Sequence, residues 1–245
     1  IIYEGADSVA AIFLETITGS NGVIIPPKGY LPGVRKICDE FGILMVCDEV
    51  MAGFGRTGKL FAFENFDVVP DLVTFAKGVT CGYVPLGGVA VSKKIAEFFN
   101  DNLLSCGLTY SGHPLACAAG VACVNYYFEH NILENVQKTG KVLGEILEEL
   151  KEKHPCVGDV RYIGLFSSIE FVKDKETRES LVPYGKDEKG LMGKIVKALM
   201  EKKFFTYSHE NMIFISPALI ITEEQIREEM VKVDEVLSMV DKEMI

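Results

Sequence analysis

Two ionisable residues end apolar runs in the middle of the chain. Asp48 lies near the end of the run ILMVCDE at 43–49, and Lys77 closes the run DLVTFAK at 71–77. Each run has the length and composition of a buried strand, so both side chains are expected at strand ends. A buried carboxylate is costly unless a positive partner meets it, so we expect a cation near Asp48, from the chain or from a ligand.

Lys77 and Asp48 have ordinary interpretations when each is taken alone. A lysine at a strand end extends its amine into water above an apolar stem, and an aspartate caps a turn or a helix. A desolvated lysine can also lose its charge and act as an amine nucleophile. Together they form the pair that pyridoxal phosphate requires. The carboxylate keeps the ring nitrogen protonated, and the lysine holds the aldehyde as a Schiff base and later moves a proton.

Strands and helices alternate around these two residues. The sequence predicts further strands at 9–15 and 86–92, and helices at 29–41, 92–100 and 113–130. Near-continuous apolar strands separated by helices indicate an α/β fold with a mainly parallel sheet covered on both faces. Asp48 and Lys77 should then lie at the carboxyl edge of that sheet, where α/β proteins bind their ligands.

The pattern changes after Asn131. An amphipathic helix with an apolar stripe through Ile146 and Leu150 is followed by one or two antiparallel strands at 160–172. A helix at 189–203 and a strand at 211–216 come next. A last helix follows a capping box formed by Thr222 and Gln225. We therefore predict a larger α/β unit over 1–130, and a linking helix with a small α+β unit over 131–245.

The composition excludes several classes of protein. The 245 residues are 48% hydrophobic with a net charge of −10, which argues for a folded protein without a nucleic-acid or anionic membrane partner. No apolar run approaches the roughly 20 residues of a membrane helix. The 7 cysteines include no C-x-x-C pair and favour reduced thiols in the cytoplasm, and the 4 histidines lack metal-ligand spacing. The opening IIYEGADSVAAIFLE indicates a fragment of a longer protein.

The block DEVMAGFGRTGKLFAFENFDVVPDLVTFAKG resembles the class III, fold type I pyridoxal-phosphate aminotransferases. PLGG and LTYSGHPLACAAG, which follow it, extend the resemblance to essentially the whole chain. The upstream ETITGSNGVIIPPKGYL is similar to the ω-amino acid:pyruvate branch, which includes taurine– and β-alanine–pyruvate transaminases. The resemblance implies that 1–130 is the C-terminal part of a large cofactor-binding domain, and that 131–245 is a linking helix and a small C-terminal domain.

The resemblance also implies roles for individual residues. Asp48 would meet the pyridinium nitrogen, Val50 would pack against one face of the ring, and Lys77 would form the Schiff base. Thr109 would bind the cofactor phosphate across the interface of a homodimer with shared active sites; its ordinary interpretation is a turn residue. Glu15 would lie at the edge of the substrate site. The implied reaction moves an amino group from an ω-amino acid or amine to a 2-oxo acid such as pyruvate.

Glu49 and Arg56 are expected to have structural roles. They would tie together the turn GFGRTG at 53–58, whose glycines allow close approach of the backbone. Neither is expected to take part in the reaction.

The anchor for a substrate carboxylate stays open. Many relatives have an arginine shortly before the segment that matches ISPALIIT, but 204–222 contains no arginine or lysine, and Tyr207 stands in that region. A tyrosine cannot supply the charge of a bidentate arginine.

A racemase, decarboxylase or phospho-lyase would share Asp48 and Lys77. A non-catalytic interaction module is the alternative from another class, and the presence of both residues argues against it.

Overall fold

A computed structural model describes residues 1–243, which form two compact units. The first contains Ile1–Ile17 and Pro26–Leu133, and the second contains Thr18–Ile25 and the chain from Glu134 onward. The sequence placed the boundary between 130 and 131 and assigned the segment 18–25 to the first unit. The units instead divide after Leu133, and that segment belongs to the second.

Four strands of the first unit form one sheet in chain order. They are β1 (Ala11–Glu15), β2 (Leu44–Asp48), β3 (Leu72–Phe75) and β4 (Gly88–Val91). The first three are parallel, and β4 runs antiparallel to β3. The helices of this unit are α1 (Tyr30–Phe41), α2 (Lys93–Asp101) and α3 (Pro114–Glu129). The prediction of an α/β fold with a mainly parallel sheet is confirmed.

One face of this sheet packs against α1. Its core contains Leu31 and Cys38 of the helix together with Met45 and Cys47 of β2. The other face carries Phe13, whose side chain is 75% exposed. The expected cover on both faces is therefore incomplete within residues 1–243.

The third strand is shorter than the sequence predicted. It ends at Phe75, and Lys77 begins a short 3-10 helix over Lys77–Val79. Lys77 has a φ of 46°, in the left-handed region that residues other than glycine seldom adopt. The lysine therefore lies in a tight turn just beyond the strand.

The second unit contains an antiparallel sheet. Its strands are β5 (Val157–Ile163), β6 (Phe166–Asp174), β7 (Glu179–Ser180), β8 (Ser208–His209) and β9 (Met212–Ile215). β6 pairs with β5, β7 and β9, and β8 pairs with β9. Its helices are α4 (Ile132–Lys153), which begins in the first unit, α5 (Leu191–Glu201) and α6 (Glu223–Glu243). Among the described residues, no helix combines the length and apolar character needed to cross a membrane.

The apolar stripes of the long helices supply much of the core of this unit. The apolar stripe of α6 is buried at every position: Ile226, Met230, Val233, Leu237 and Val240. The predicted capping box is also present, since Gln225 N donates to Thr222 Oγ1 and Thr222 N donates to Gln225 Oε1. The apolar stripe predicted for α4 included Ile146, but this residue is only half-buried. The adjacent Leu147 is fully buried in its place.

Gly22 holds the segment 18–25 against the antiparallel sheet. Its carbonyl accepts hydrogen bonds from Arg161 Nε at 2.6 Å and from Ser168 Oγ at 2.8 Å. Gly22 has a φ of 120°, and a Cβ at this position would lie 2.6 Å from Met212 Sδ. Both the backbone conformation and the lack of space require glycine here.

Candidate active site

The register of the parallel strands aligns three polar residues in one row. Glu15 on β1 lies opposite Asp48 on β2, which lies opposite Thr74 on β3. Paired residues on neighbouring strands project from the same face of a sheet, so the three side chains share a face at its carboxyl edge. The structure thus brings together two of the predicted site residues, Glu15 and Asp48. Sequence reasoning missed Thr74, because only the register identifies it as a neighbour of Asp48.

Asp48 is oriented by its own turn. Val50 N donates a hydrogen bond to Asp48 Oδ1 at 2.9 Å, a local contact typical of aspartate at the start of a turn. The other oxygen, Oδ2, accepts none of the hydrogen bonds found within residues 1–243. The half-buried carboxylate therefore has a defined orientation and one oxygen available to a ligand.

Thr74 has an unused hydroxyl. Its Oγ1 is buried and has no hydrogen-bond partner within the described part of the chain. Its carbonyl accepts a hydrogen bond from Glu49 N at 2.9 Å, so the backbone at this position is satisfied. Buried hydroxyl groups normally have a partner. The row through Asp48 and Thr74 therefore keeps hydrogen-bonding capacity that the described residues do not use.

Lys77 lies at the same edge of the sheet, two residues beyond the end of β3. It lines an open depression of about 560 Å³. The other lining residues are Ala76, Thr80, Gly82, Val84, Pro85, Leu86 and Gly87. The Lys77 side chain is exposed within residues 1–243, so the described residues do not desolvate its amine.

The turn that carries Lys77 packs against a second residue with left-handed backbone. A Cβ on Gly78 would lie 2.6 Å from Phe54 Cβ, so only glycine fits beside this phenylalanine, whose φ is 53°. Thr80 Oγ1 donates to the carbonyl of Val84 at 2.6 Å. This bond closes the loop that lines the depression.

Glu49 differs sharply from the adjacent Asp48. Its side chain is fully buried and accepts hydrogen bonds from Thr16 Oγ1 at 2.5 Å, Ala62 N at 2.8 Å and Phe63 N at 3.0 Å. Burial raises the pKa of Glu49, and these hydrogen bonds oppose that rise. All three donors are neutral, so hydrogen bonds and not a cation satisfy Glu49. Glu49 anchors the 3-10 helix Ala62–Phe66 and is structural.

The turn that contains Arg56 is closed by backbone hydrogen bonds. Gly55 N donates to the carbonyl of Leu60 at 3.3 Å, and Gly58 N donates to that of Gly55 at 2.9 Å. Burial lowers the pKa of Arg56 to about 10. Its structural role stays a prediction.

Thr109 does not lie on the sheet edge. It is exposed in the loop between α2 and α3, two residues before Ser111, whose Oγ accepts a hydrogen bond from Leu108 N at 3.3 Å. The apolar residues around it are also exposed. This chain therefore presents Thr109 outward instead of bringing it to Asp48 and the other residues of the edge.

The amino-acid sequence of this chain matches a known protein family. A sequence model of the family described as Aminotransferase class-III matches residues 1–237. The chain belongs to this family. The resemblance that the Asp48–Lys77 block indicated is therefore confirmed.

Individual members of the class-III family match over nearly the whole chain. The taurine–pyruvate aminotransferase of Bilophila wadsworthia is 36% identical over 99% of this chain and 55% of its own length. The putrescine–pyruvate aminotransferase of Pseudomonas aeruginosa is 37% identical over 93% of this chain and 49% of its own. This chain therefore spans about half the length of these relatives.

A solved structure of a family member also superposes on the chain. It is the taurine:2-oxoglutarate aminotransferase from Bifidobacterium kashiwanohense, in complex with PLP and glutamate. It matches with a TM-score of 0.96 and 59% identity, over 100% of this chain and 55% of that one. The fold of the described residues is thus that of a class-III aminotransferase.

Proposed function

We propose that the complete protein containing this chain is a pyridoxal-phosphate-dependent aminotransferase. It moves an amino group from an ω-amino acid or amine to a 2-oxo acid such as pyruvate. The observation that carries this proposal is the position of Asp48 and Lys77 at one carboxyl edge, after adjacent parallel strands. The relatives named above support the reaction class, since their names pair taurine or putrescine with pyruvate or 2-oxoglutarate.

The residues at the edge fit the cofactor. Asp48 offers a fixed carboxylate whose Oδ2 accepts no hydrogen bond within residues 1–243, and Lys77 lines an open depression. When bound, pyridoxal phosphate supplies an aldehyde that combines with amines and a ring that withdraws electrons when its nitrogen is protonated. Asp48 would hold the proton at that nitrogen, and Val50 would pack against the ring.

Lys77 would then have two tasks. Its Nζ would hold the aldehyde carbon of the cofactor and later move a proton to and from the substrate carbon. Glu15 lies on the same row as Asp48, and we assign it to the substrate edge.

Chemical trapping tests the cofactor assignment. Borohydride reduction of the complete protein with bound cofactor, followed by peptide mapping, should place the cofactor on Lys77. Lys93, which is exposed on α2, serves as an internal control and should stay unlabelled. Label on any lysine other than Lys77 overturns the assignment.

Product analysis tests the reaction class. With an ω-amino acid and pyruvate, the protein should form alanine only when both substrates are present. Replacement of pyruvate by 2-oxoglutarate should form glutamate if that acid is the acceptor. A donor that is epimerised, decarboxylated or loses phosphate without a 2-oxo acid would establish a racemase, decarboxylase or phospho-lyase instead.

We also infer that the protein is a homodimer with shared active sites. The loop between α2 and α3 exposes Leu103, Leu108 and Tyr110, which are 87%, 82% and 82% exposed. Contiguous exposed apolar residues are typical of an interaction surface.

We assign the protein to the cytoplasm, without nucleic-acid or membrane partners, which agrees with its free cysteines and net charge of −10.

Subunit mixing tests the shared site. Lys77→Ala and Thr109→Ala proteins should each be inactive or strongly impaired. When equal amounts are mixed and the subunits exchange, about half of the dimers are mixed, so about a quarter of all active sites should regain activity. One site of a mixed dimer then carries both substitutions and the other carries neither. No recovery despite confirmed exchange would mean that Thr109 serves its own subunit or no site.

A further inference from the structure

The backbone of Lys77 needs external support. Its φ of 46° is rare for a residue with a side chain, and such conformations persist only where their surroundings hold them. Two hydrogen bonds within the turn lie at the upper end of the usual range: those from Val79 N to Ala76 O and from Thr80 N to Lys77 O both measure 3.2 Å. Contacts from other elements therefore add to the support of the turn.

The carbonyl of Gly78 receives the strongest of these contacts. Tyr127 OH donates to it at 2.8 Å. The other donors come from within the loop and are longer, at 3.4 Å for Cys81 N and 3.6 Å for Cys81 Sγ. Since hydrogen bonds weaken with distance, the tyrosine on α3 is the main partner of this carbonyl.

Tyr127 is itself held firmly. It is 4% exposed, and its hydroxyl lies 3.2 Å from Cys81 Sγ. Its ring centroid lies 6.2 Å from that of Phe54, the residue that packs against Gly78. The Phe54 side chain thus packs beside Gly78, and the Tyr127 hydroxyl donates a hydrogen bond to the Gly78 carbonyl.

We propose that Tyr127 is a positioning residue for Lys77. Through the carbonyl of Gly78, its hydroxyl fixes the left-handed backbone that directs the lysine amine. The inference rests on the proposed function, in which Lys77 Nζ reacts. A displacement of about 1 Å at a reacting group costs on the order of 100-fold in rate, so a support on a rigid helix has a direct effect on turnover.

The variant Tyr127→Phe of the complete protein tests this role, because it removes the hydroxyl and keeps the ring. The matched control is Tyr126→Phe, whose ring is partly exposed and stacks on His130. For Tyr127→Phe we expect kcat per cofactor-loaded site to fall about tenfold with KM within about twofold. The visible absorbance of the Lys77-linked cofactor should titrate with a midpoint moved by about half a pH unit. Tyr126→Phe should change neither.

Hydrogen exchange provides a second readout that needs no cofactor. In the cofactor-free protein, Tyr127→Phe should speed exchange of the Val79 and Thr80 amides about tenfold, while the amides of β2 keep their rates. The control Tyr126→Phe should leave both sets unchanged.

Each outcome decides the inference. If Tyr127→Phe lowers only the melting temperature, and kcat and the absorbance midpoint match those of the parent, Tyr127 is structural and the proposal is wrong. If that variant does not fold, 3-fluorotyrosine at position 127, which strengthens the donor, must move the midpoint, and an unchanged value overturns the proposal. Failure of the parent protein to label at Lys77 would instead refute the proposed function.

Discussion

The sheet edge of the first unit and a buried cluster in the second use similar residues to opposite effect. At the edge, Asp48 Oδ2 and the Thr74 hydroxyl have no hydrogen-bond partner among residues 1–243, and Lys77 is exposed. In the cluster, His154 is 1% exposed and lies between two aspartates. Its Nδ1 is 2.6 Å from Asp241 Oδ2, and its Nε2 is 2.7 Å from Asp234 Oδ1.

The cluster satisfies its polar atoms internally. Both ring nitrogens of His154 lie within hydrogen-bonding distance of carboxylate oxygens. Burial alone would raise the pKa of Asp234, but hydrogen bonds from Lys153 and His154 outweigh it and hold that pKa below its ordinary value. In Asp241 the effect of burial is likewise outweighed, here by hydrogen bonds from Cys156 and His154.

The difference between the sheet edge and the His154 cluster indicates which residues serve the reaction and which serve stability. Polar groups with unused capacity at a sheet edge can bind a ligand, whereas a closed network stabilises the fold and offers nothing to a ligand. Substitutions at the edge should therefore change the reaction without unfolding the protein, and substitutions in the cluster should do the reverse.

The largest effect is expected for Lys77→Ala. Turnover should fall by at least about 10⁴-fold, because no other amine replaces Nζ. The free energy of unfolding of the cofactor-free protein should change by less than about 0.5 kcal/mol, since the side chain is exposed. Steady-state kinetics and denaturant unfolding measure the two quantities, with Lys93→Ala as the control. Substantial activity in Lys77→Ala would refute its role.

Asp48→Asn should lower turnover by about 10²- to 10³-fold while the cofactor still binds, since the ring nitrogen then loses its charged partner. The adjacent Glu49→Gln provides the contrast. It should reduce the free energy of unfolding by about 1–3 kcal/mol, because a buried amide faces backbone donors, and leave kcat of the folded protein within a few-fold. Equal effects of the two substitutions on stability would contradict the contrast.

His154→Leu should lower the free energy of unfolding by about 3 kcal/mol, because it leaves two aspartates facing an apolar side chain. Activity of the folded protein should not change. His209→Leu, on the short strand β8, is the control and should cost less than about 1 kcal/mol. A loss of activity without a loss of stability would place His154 in the active site and reverse the comparison.

The same cluster predicts an acid dependence. Asp234 and Asp241 have pKa values below their ordinary range, so their stabilising contribution is present above about pH 4 and is lost as the pH falls through the lowered values. The free energy of unfolding should therefore decrease with falling pH more steeply in the parent than in His154→Leu. Denaturant titrations between about pH 2 and pH 5 measure these slopes, and identical slopes would contradict the assignment.

The smallest effect is expected for Thr16→Val. This nearly isosteric change removes the hydroxyl that donates to Glu49 Oε1 at 2.5 Å, and should cost about 1–2 kcal/mol. Thr18→Val is the control, because its side chain is only partly buried. Thermal unfolding of both variants measures the difference, and an equal melting temperature would show that Thr16 does not support Glu49.

Much of the fold could be predicted from the sequence, because apolar periodicity and capping residues are local signals. The order of strands and helices followed from them, as did the capping box at Thr222 and the position of Asp48 at a strand end. The position of Thr74 beside Asp48 depends on register, and the hydrogen bond from Tyr127 to Gly78 joins residues 49 apart in the chain. The turn that carries Lys77 could not be predicted, because a strand pattern does not reveal that β3 ends at Phe75.

The attachment of Gly22 to the antiparallel sheet has a consequence for biosynthesis. Its partners Arg161 and Ser168 lie 139 and 146 residues further along the chain. At a ribosomal rate of about 5–20 residues per second, the Gly22 carbonyl waits on the order of 7–30 s before either partner has been made. During that interval β1, β2 and β3 can pair as the nascent chain emerges. The segment 18–25 should therefore dock late, and the second unit should be the last to become resistant to proteases.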